Sequence, residues 1–127
     1  MRRPLALLPL ILVAACGSDD DRPLSWTYIT QAIIRPSCAT ASCHSKVTAA
    51  AGLQLEEPNG AYVILTGYNP DGNFIWPGDA SRSRVLKLLR SEDTYRMPPD
   101  APLPEADIDL IERWILAGAE NDAAEGN

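Results

Sequence analysis

Histidine occurs once in these 127 residues, at His44, and phenylalanine once, at Phe74. With three cysteines in the chain, a zinc site would have Cys38, Cys43 and His44 as candidate ligands and no obvious fourth. No apolar stretch reaches the roughly 20 residues that a helix needs to span a bilayer. The run from Leu5 to Ala15 is too short and is broken by Pro9. Basic residues are few, 11 against 17 acidic ones, so the formal charge of −6 argues against nucleic acid as a partner. Aromatic side chains are scarce as well: one Phe, three Trp and four Tyr. A domain of about a hundred residues buries only around two-thirds of its unfolded surface. A core this thin in an oxidising compartment calls for a staple, whether disulfides, a metal or a large cofactor.

What is present begins with an export signal. Arg2 and Arg3 precede the Leu5–Ala15 run in the order of a secretory signal, charged and then apolar. The run ends Leu12-Val13-Ala14-Ala15-Cys16, which resembles the bacterial lipobox. That resemblance implies a signal peptide over residues 1–15, cleavage before Cys16 and acylation of its thiol. The plainer alternative is an ordinary signal peptide that leaves Cys16 as a free thiol. Gly17-Ser18-Asp19-Asp20-Asp21 reads as a solvated tether, so residues 16–24 are expected to be a lipidated linker. Loss of residues 1–15 removes two basic groups and leaves nine against seventeen acidic, a charge of −8. Anionic headgroups would repel such a surface, which leaves anchoring to the acyl chains. A protein partner docking by electrostatics should offer a basic patch. The expected location is the cell envelope, with the domain in the periplasm or at the cell surface.

The remaining length allows one domain, expected over residues 25–119, with a disordered polar tail over 120–127. Ser25 caps a first helix in which Trp26, Ile29 and Ile33 recur at helical spacing and which Pro36 should stop. Residues 52–56 alternate like a short strand or an extended segment. Asn59 is a candidate cap for a short helix ending before Gly67. Ser81 can begin a third helix running through Leu89. The proline-rich stretch Thr94–Leu103 cannot be helical throughout. Pro104 suits the first turn of a last helix striped by Ile108, Ile111, Ile115 and Gly118. The sum is an all-α domain of about four short helices joined by long loops, and loops of that length in a compact domain need something to organise them.

Cys38-Ala39-Thr40-Ala41-Ser42-Cys43-His44 is the segment that carries chemistry. Covalent haem attachment needs two thiols for two vinyl groups and an imidazole directly after the second thiol, beneath the iron. Four residues between the cysteines make a longer loop than the common two, and small side chains let it fold without a clash. By itself the C-x4-C-H spacing can also close a disulfide. After loss of Met1, Met97 is the sole methionine, set before Pro98 and Pro99, which stiffen its loop. A thioether is a usual sixth ligand of high-potential haem. Read alone, Met97 is a core-filling methionine; beside the cysteine motif it is the candidate distal ligand.

The order of a helix, C-x4-C-H, Gly-Leu-x-Leu, Pro77-Gly78-Asp79, Arg96-Met97-Pro98-Pro99 and Ile111-Glu112-Arg113-Trp114-Ile115 resembles the small monohaem c-type cytochromes of planctomycetes and myxobacteria over residues 26–119. The resemblance implies the all-α cytochrome c-like fold with its first and last helices crossed. It also implies one covalent haem c on Cys38 and Cys43, with His44 as proximal and Met97 as distal iron ligand. Pro104 departs from the Ser or Thr cap common there. The implied activity is electron transfer to a redox partner protein, not enzymatic turnover. Two other readings use the same residues: a lipoprotein that binds copper through Cys38, Cys43, His44 and Met97, and an interaction module stapled by a Cys38–Cys43 disulfide. Trp26 and Trp114 read as the contact between terminal helices. Trp76, Arg82, Arg84 and Tyr95 read first as surface or core residues and second as partners for haem carboxylates.

Overall fold

The computed structural model describes residues 20–125. Signal peptide, Cys16 and the first part of the tether therefore lie outside the described residues. Among the described residues the chain is helical without strands, and no helix is long and apolar enough to cross a membrane.

Helix α1 covers residues 26–37 in three parts: α-helical Trp26–Ile29, π-helical Thr30–Ile34 and α-helical Arg35–Ser37. The Ser25 hydroxyl caps it by accepting from Tyr28 N–H at 3.1 Å. Pro36 does not end this helix but lies in its last turn. A proline ring clashes with the carbonyl four residues back, and the wider π-turn before Pro36 moves that carbonyl away. Short 3-10 turn Ala50–Gly52 follows, and residues 53–57 lead into the next helix without joining a sheet, bending at 56–57.

Helix α2 is Pro58–Thr66. It starts before Asn59, on Glu57, because proline at the first helical position forgoes an N–H that would be unpaired there. Gly67 closes it in extended conformation (φ −66°, ψ 162°), not the left-handed form expected of a C′ glycine. Here glycine answers a close approach, since a Cβ at this position would sit 2.6 Å from the Val63 carbonyl oxygen. Gly67→Ala is expected to cost about 1–3 kcal/mol, read as a lowered denaturation midpoint. An unchanged midpoint would mean that the end of α2 yields freely.

Helix α3 is Arg84–Leu89, three residues later than a start at Ser81. Buried Ser83 accepts from Trp76 N–H (2.9 Å) and donates to the Asp79 carbonyl (2.8 Å), which holds residues 79–83 in a turn. Helix α4 is Glu105–Leu116, entered from Pro104 as expected. Arg90, at the end of α3, ties the two together through Glu105, Asp109 and Glu112 at 2.7–3.0 Å.

The core forms where α1 meets α4. Trp26 and Trp114 stack at 4.9 Å between centroids, and Tyr62 of α2 meets both edge-on. Each ring hands its polar atom to a carbonyl: Trp26 Nε1 to Pro58, Trp114 Nε1 to Glu120, Tyr62 OH to Ala119. So few aromatics suffice because three are concentrated at one crossing, two buried and Tyr62 partly so, each with its polar atom satisfied. Ile29, Ile33, Ile108, Ile111 and Ile115 complete the seam.

Both ends of the described chain depart from the expected loose segments. Residues 122–125 form a 3-10 turn whose Asp122 carboxylate accepts from Thr27 N–H at 2.9 Å, so the polar end through residue 125 packs back onto α1. An acidic residue facing the free N–H groups at the start of α1 satisfies an otherwise unpaired donor. At the other end Asp20 is gripped by Arg22 (2.8 and 2.9 Å) and Arg113 (2.6 Å), and Arg22 also reaches Asp107 (2.5 Å). The hydrogen bonds from Arg22 hold the Asp20 carboxyl down at about 2. The linker is thus joined to α4 from Asp20 onward.

Candidate functional site: an apolar cavity enclosed by four helices

The four helices do not close on one another completely. Between them lies a cavity of about 270 Å³ walled almost wholly by apolar atoms. Helix α1 supplies Trp26, Ile29 and Ile34, α2 supplies Leu65, α3 supplies Val85, Leu88 and Leu89, and α4 supplies Ile111. Cys38, Cys43, His44 and Met97 all line this one cavity.

The end of α1 aims the first thiol. The Ile34 carbonyl accepts from both Cys38 N–H (2.7 Å) and Ala39 N–H (3.0 Å), so the chain leaves the helix with Cys38 turned to the cavity. His44 N–H donates back to the Cys38 carbonyl at 3.1 Å, and Cys43 N–H to Thr40 at 3.0 Å, folding the intervening residues into a tight loop. Ser45 is buried beneath it, its hydroxyl on the Ala41 carbonyl. Burial pushes the Cys38 thiol up to about 11, with a smaller contribution from neighbouring Cys43, and so it stays a neutral thiol near pH 7. Neither cysteine is in a disulfide.

His44 is oriented by the backbone. Its Nδ1 lies 2.9 Å from the Ala50 carbonyl oxygen. A carbonyl only accepts, so Nδ1 carries the proton and the lone pair belongs to Nε2. Residues 49–52 are bent to present that carbonyl: Ala49 (φ 42°) and Ala51 (φ 53°) adopt left-handed conformations that cost an alanine about 1–2 kcal/mol each. The Ala50 N–H donates to Cys43 O, and Leu55 N–H to His44 O, which anchor the bend to the cysteine loop. This orienting carbonyl had no sequence signal, since alanine does not mark left-handed turns as glycine or asparagine does.

Met97 stands on the loop after α3. Its N–H donates to the Leu88 carbonyl at 3.0 Å, its side chain is 39 % exposed, and the Met97–Pro98 peptide is cis. Of the secondary candidates, Arg82 covers the Trp76 ring at 3.5 Å, Arg84 lies over Phe74 at 5.3 Å, and Tyr95 is exposed. None of Trp76, Arg82, Arg84 and Tyr95 lines the cavity, although Phe74 and Val85 beside them do. Among the described residues no three Cys, His, Asp or Glu side chains converge as a metal site.

Four helices around an apolar cavity, with a C-x4-C-H loop at its wall, describe a small cytochrome-like domain. Residues 41–101 match the family described as Planctomycete cytochrome C, and the match supports a planctomycete-type cytochrome c domain. It takes in Cys43, His44 and Met97 and begins three residues after Cys38. Haem binding and electron transfer are the general properties of that class. No curated protein and no solved structure matches the chain.

Proposed function

We propose that this protein is a membrane-anchored electron carrier holding one haem c, with thioether bonds from Cys38 and Cys43 and axial ligands from His44 and Met97. The observation that carries this reading is the meeting of all four side chains on a single apolar cavity, with the proton of His44 already committed to Ala50. The residues fit such a group on physical grounds. An apolar wall suits a porphyrin face, the unprotonated Nε2 of His44 suits iron, and two thiols on the same wall match the two vinyl groups of a haem. Cys38 and Cys43 would hold the group by thioether bonds, each made by adding S–H across a vinyl double bond with no oxidant consumed. The bound group supplies one-electron chemistry between ferric and ferrous iron. The protein's own part would be to hold the group through Cys38, Cys43, His44 and Met97, exclude water from its apolar faces and keep His44 in one tautomer.

The rival readings have less support. Copper binding through Cys38, Cys43, His44 and Met97 asks those side chains to gather around one ion, and no three Cys, His, Asp or Glu side chains among the described residues are so gathered. A stapled interaction module asks for a disulfide, whereas both cysteines are free. Lipidation at Cys16 would place the domain at a membrane of the cell envelope, and the charge of −8 favours a redox partner with a basic docking patch.

The test is a denaturing gel stained for haem, run on protein made in a host with a cytochrome c maturation system. A haem signal that survives denaturation is expected. An unstained protein with Cys38 and Cys43 free or joined to each other would end the cytochrome reading.

A further inference from the structure

The loop that carries Met97 is unusually poor in its own means of support. Pro98 and Pro99 have no N–H to donate, and Met97 N–H is already used on Leu88. Two consecutive carbonyls, those of Pro98 and Pro99, are instead met by one side chain. Arg96 donates from Nε to the Pro98 oxygen at 3.4 Å and from Nη2 to the Pro99 oxygen at 3.3 Å. The fork of a single guanidinium therefore spans residues 96–99 and closes the turn on which Met97 is presented. Arg96 itself is held by its N–H to the Asp93 carbonyl at 3.2 Å, within a turn knotted by Ser91 and Asp93. Among the described residues Arg96 has no carboxylate partner, unlike Arg22, Arg90 and Arg113. Its charge is left for the two carbonyls, and a planar fork is suited to two acceptors at once in a way that an ammonium is not.

We infer that Arg96 is the positioning residue for Met97: its guanidinium locks the 96–99 turn and thereby keeps the thioether at the cavity. This rests on the reading of Met97 as the distal ligand. The Met97 side chain is partly exposed, so packing alone does not confine it, and two neighbouring prolines restrict the backbone without tying it to anything. Release of the fork would leave the fold intact and let the turn swing, exchanging the thioether for an added ligand more readily.

The experiment is an imidazole titration of the ferric holoprotein, followed by absorbance, for wild type, Arg96→Gln, Arg96→Lys and Met97→Ala. Arg96→Gln is expected to bind imidazole roughly five- to tenfold more tightly than wild type, with haem stain and far-UV circular dichroism unchanged. Arg96→Lys keeps one donor without the fork and should fall between the two. Where Arg96→Gln yields no holoprotein, Arg96→Lys decides. Met97→Ala separates the two claims. If it titrates like wild type, the distal assignment is wrong and the role of Arg96 falls with it. If it binds more tightly while the Arg96 variants that yield holoprotein titrate like wild type, the distal assignment stands and Arg96 is no more than a surface arginine.

Discussion

His44→Ala is expected to leave no stable holoprotein. Removing an outer partner of a metal ligand commonly costs about 10–100-fold in affinity, and removing the ligand itself should exceed that. The substitution also deletes the Nδ1 bond to Ala50, a loss of about 1 kcal/mol that would not by itself unfold the domain. The larger consequence comes through the cavity. An apolar cavity of about 270 Å³ left without an occupant deprives Trp26, Ile29, Leu65, Leu89 and Ile111 of packing partners and exposes apolar wall to water. A domain of this size has about 5–15 kcal/mol in total, so a chain that cannot retain its occupant sits at the edge of unfolding. Haem stain on a denaturing gel and helix content by circular dichroism should therefore fall together. A stained band of wild-type intensity, on a folded protein, would remove His44 from the proposed site.

Met97→Ala should behave differently. Its backbone anchor on Leu88 does not depend on the side chain, and Cys38, Cys43 and His44 are untouched, so haem is expected to remain attached. What changes is the preference for ferrous iron. A neutral thioether raises the potential, and axial ligands as a class set it over roughly 0.8 V. A fall on the order of 0.1 V is expected in a redox titration, which at about 59 mV per tenfold is roughly a fiftyfold change in relative affinity for the two oxidation states. An open axial position should also accept added imidazole. An unchanged potential and spectrum would show that another group completes the iron.

Where the chain bends proved harder to read than where it is apolar. Ser25, the spacing of Trp26, Ile29 and Ile33, and the entry at Pro104 place the first and last helices, because capping and periodicity are local properties. The middle helices began elsewhere than the candidate caps. Asn59 lost to Pro58, whose missing N–H makes it a better first residue, and Ser81 lost because Ser83 uses its hydroxyl on Trp76 and Asp79. Pro36 was a sound stop signal for an α-helix, but the helix continues through it because the preceding turn widens to a π-turn. The polar ends misled for a similar reason. Asp20 and Asp122 look solvated in composition, yet each finds a donor ninety or more positions away along the chain, at Arg113 and Thr27.

The sequence alone determined the inventory: one histidine directly after a second cysteine, one methionine held between an arginine and two prolines, and a helical pattern with few aromatics. Chemistry of that kind depends on residue type and short spacing, which are legible without coordinates. Only the tertiary structure decided that Cys38, Cys43, His44 and Met97 face a common cavity, that a strained Ala49–Ala51 bend turns the Ala50 carbonyl to His44, and that Arg96 closes the turn bearing Met97. Those facts rest on backbone direction in loops that no periodicity or cap residue marks, and on the cavity bringing segments from all four helices to one wall.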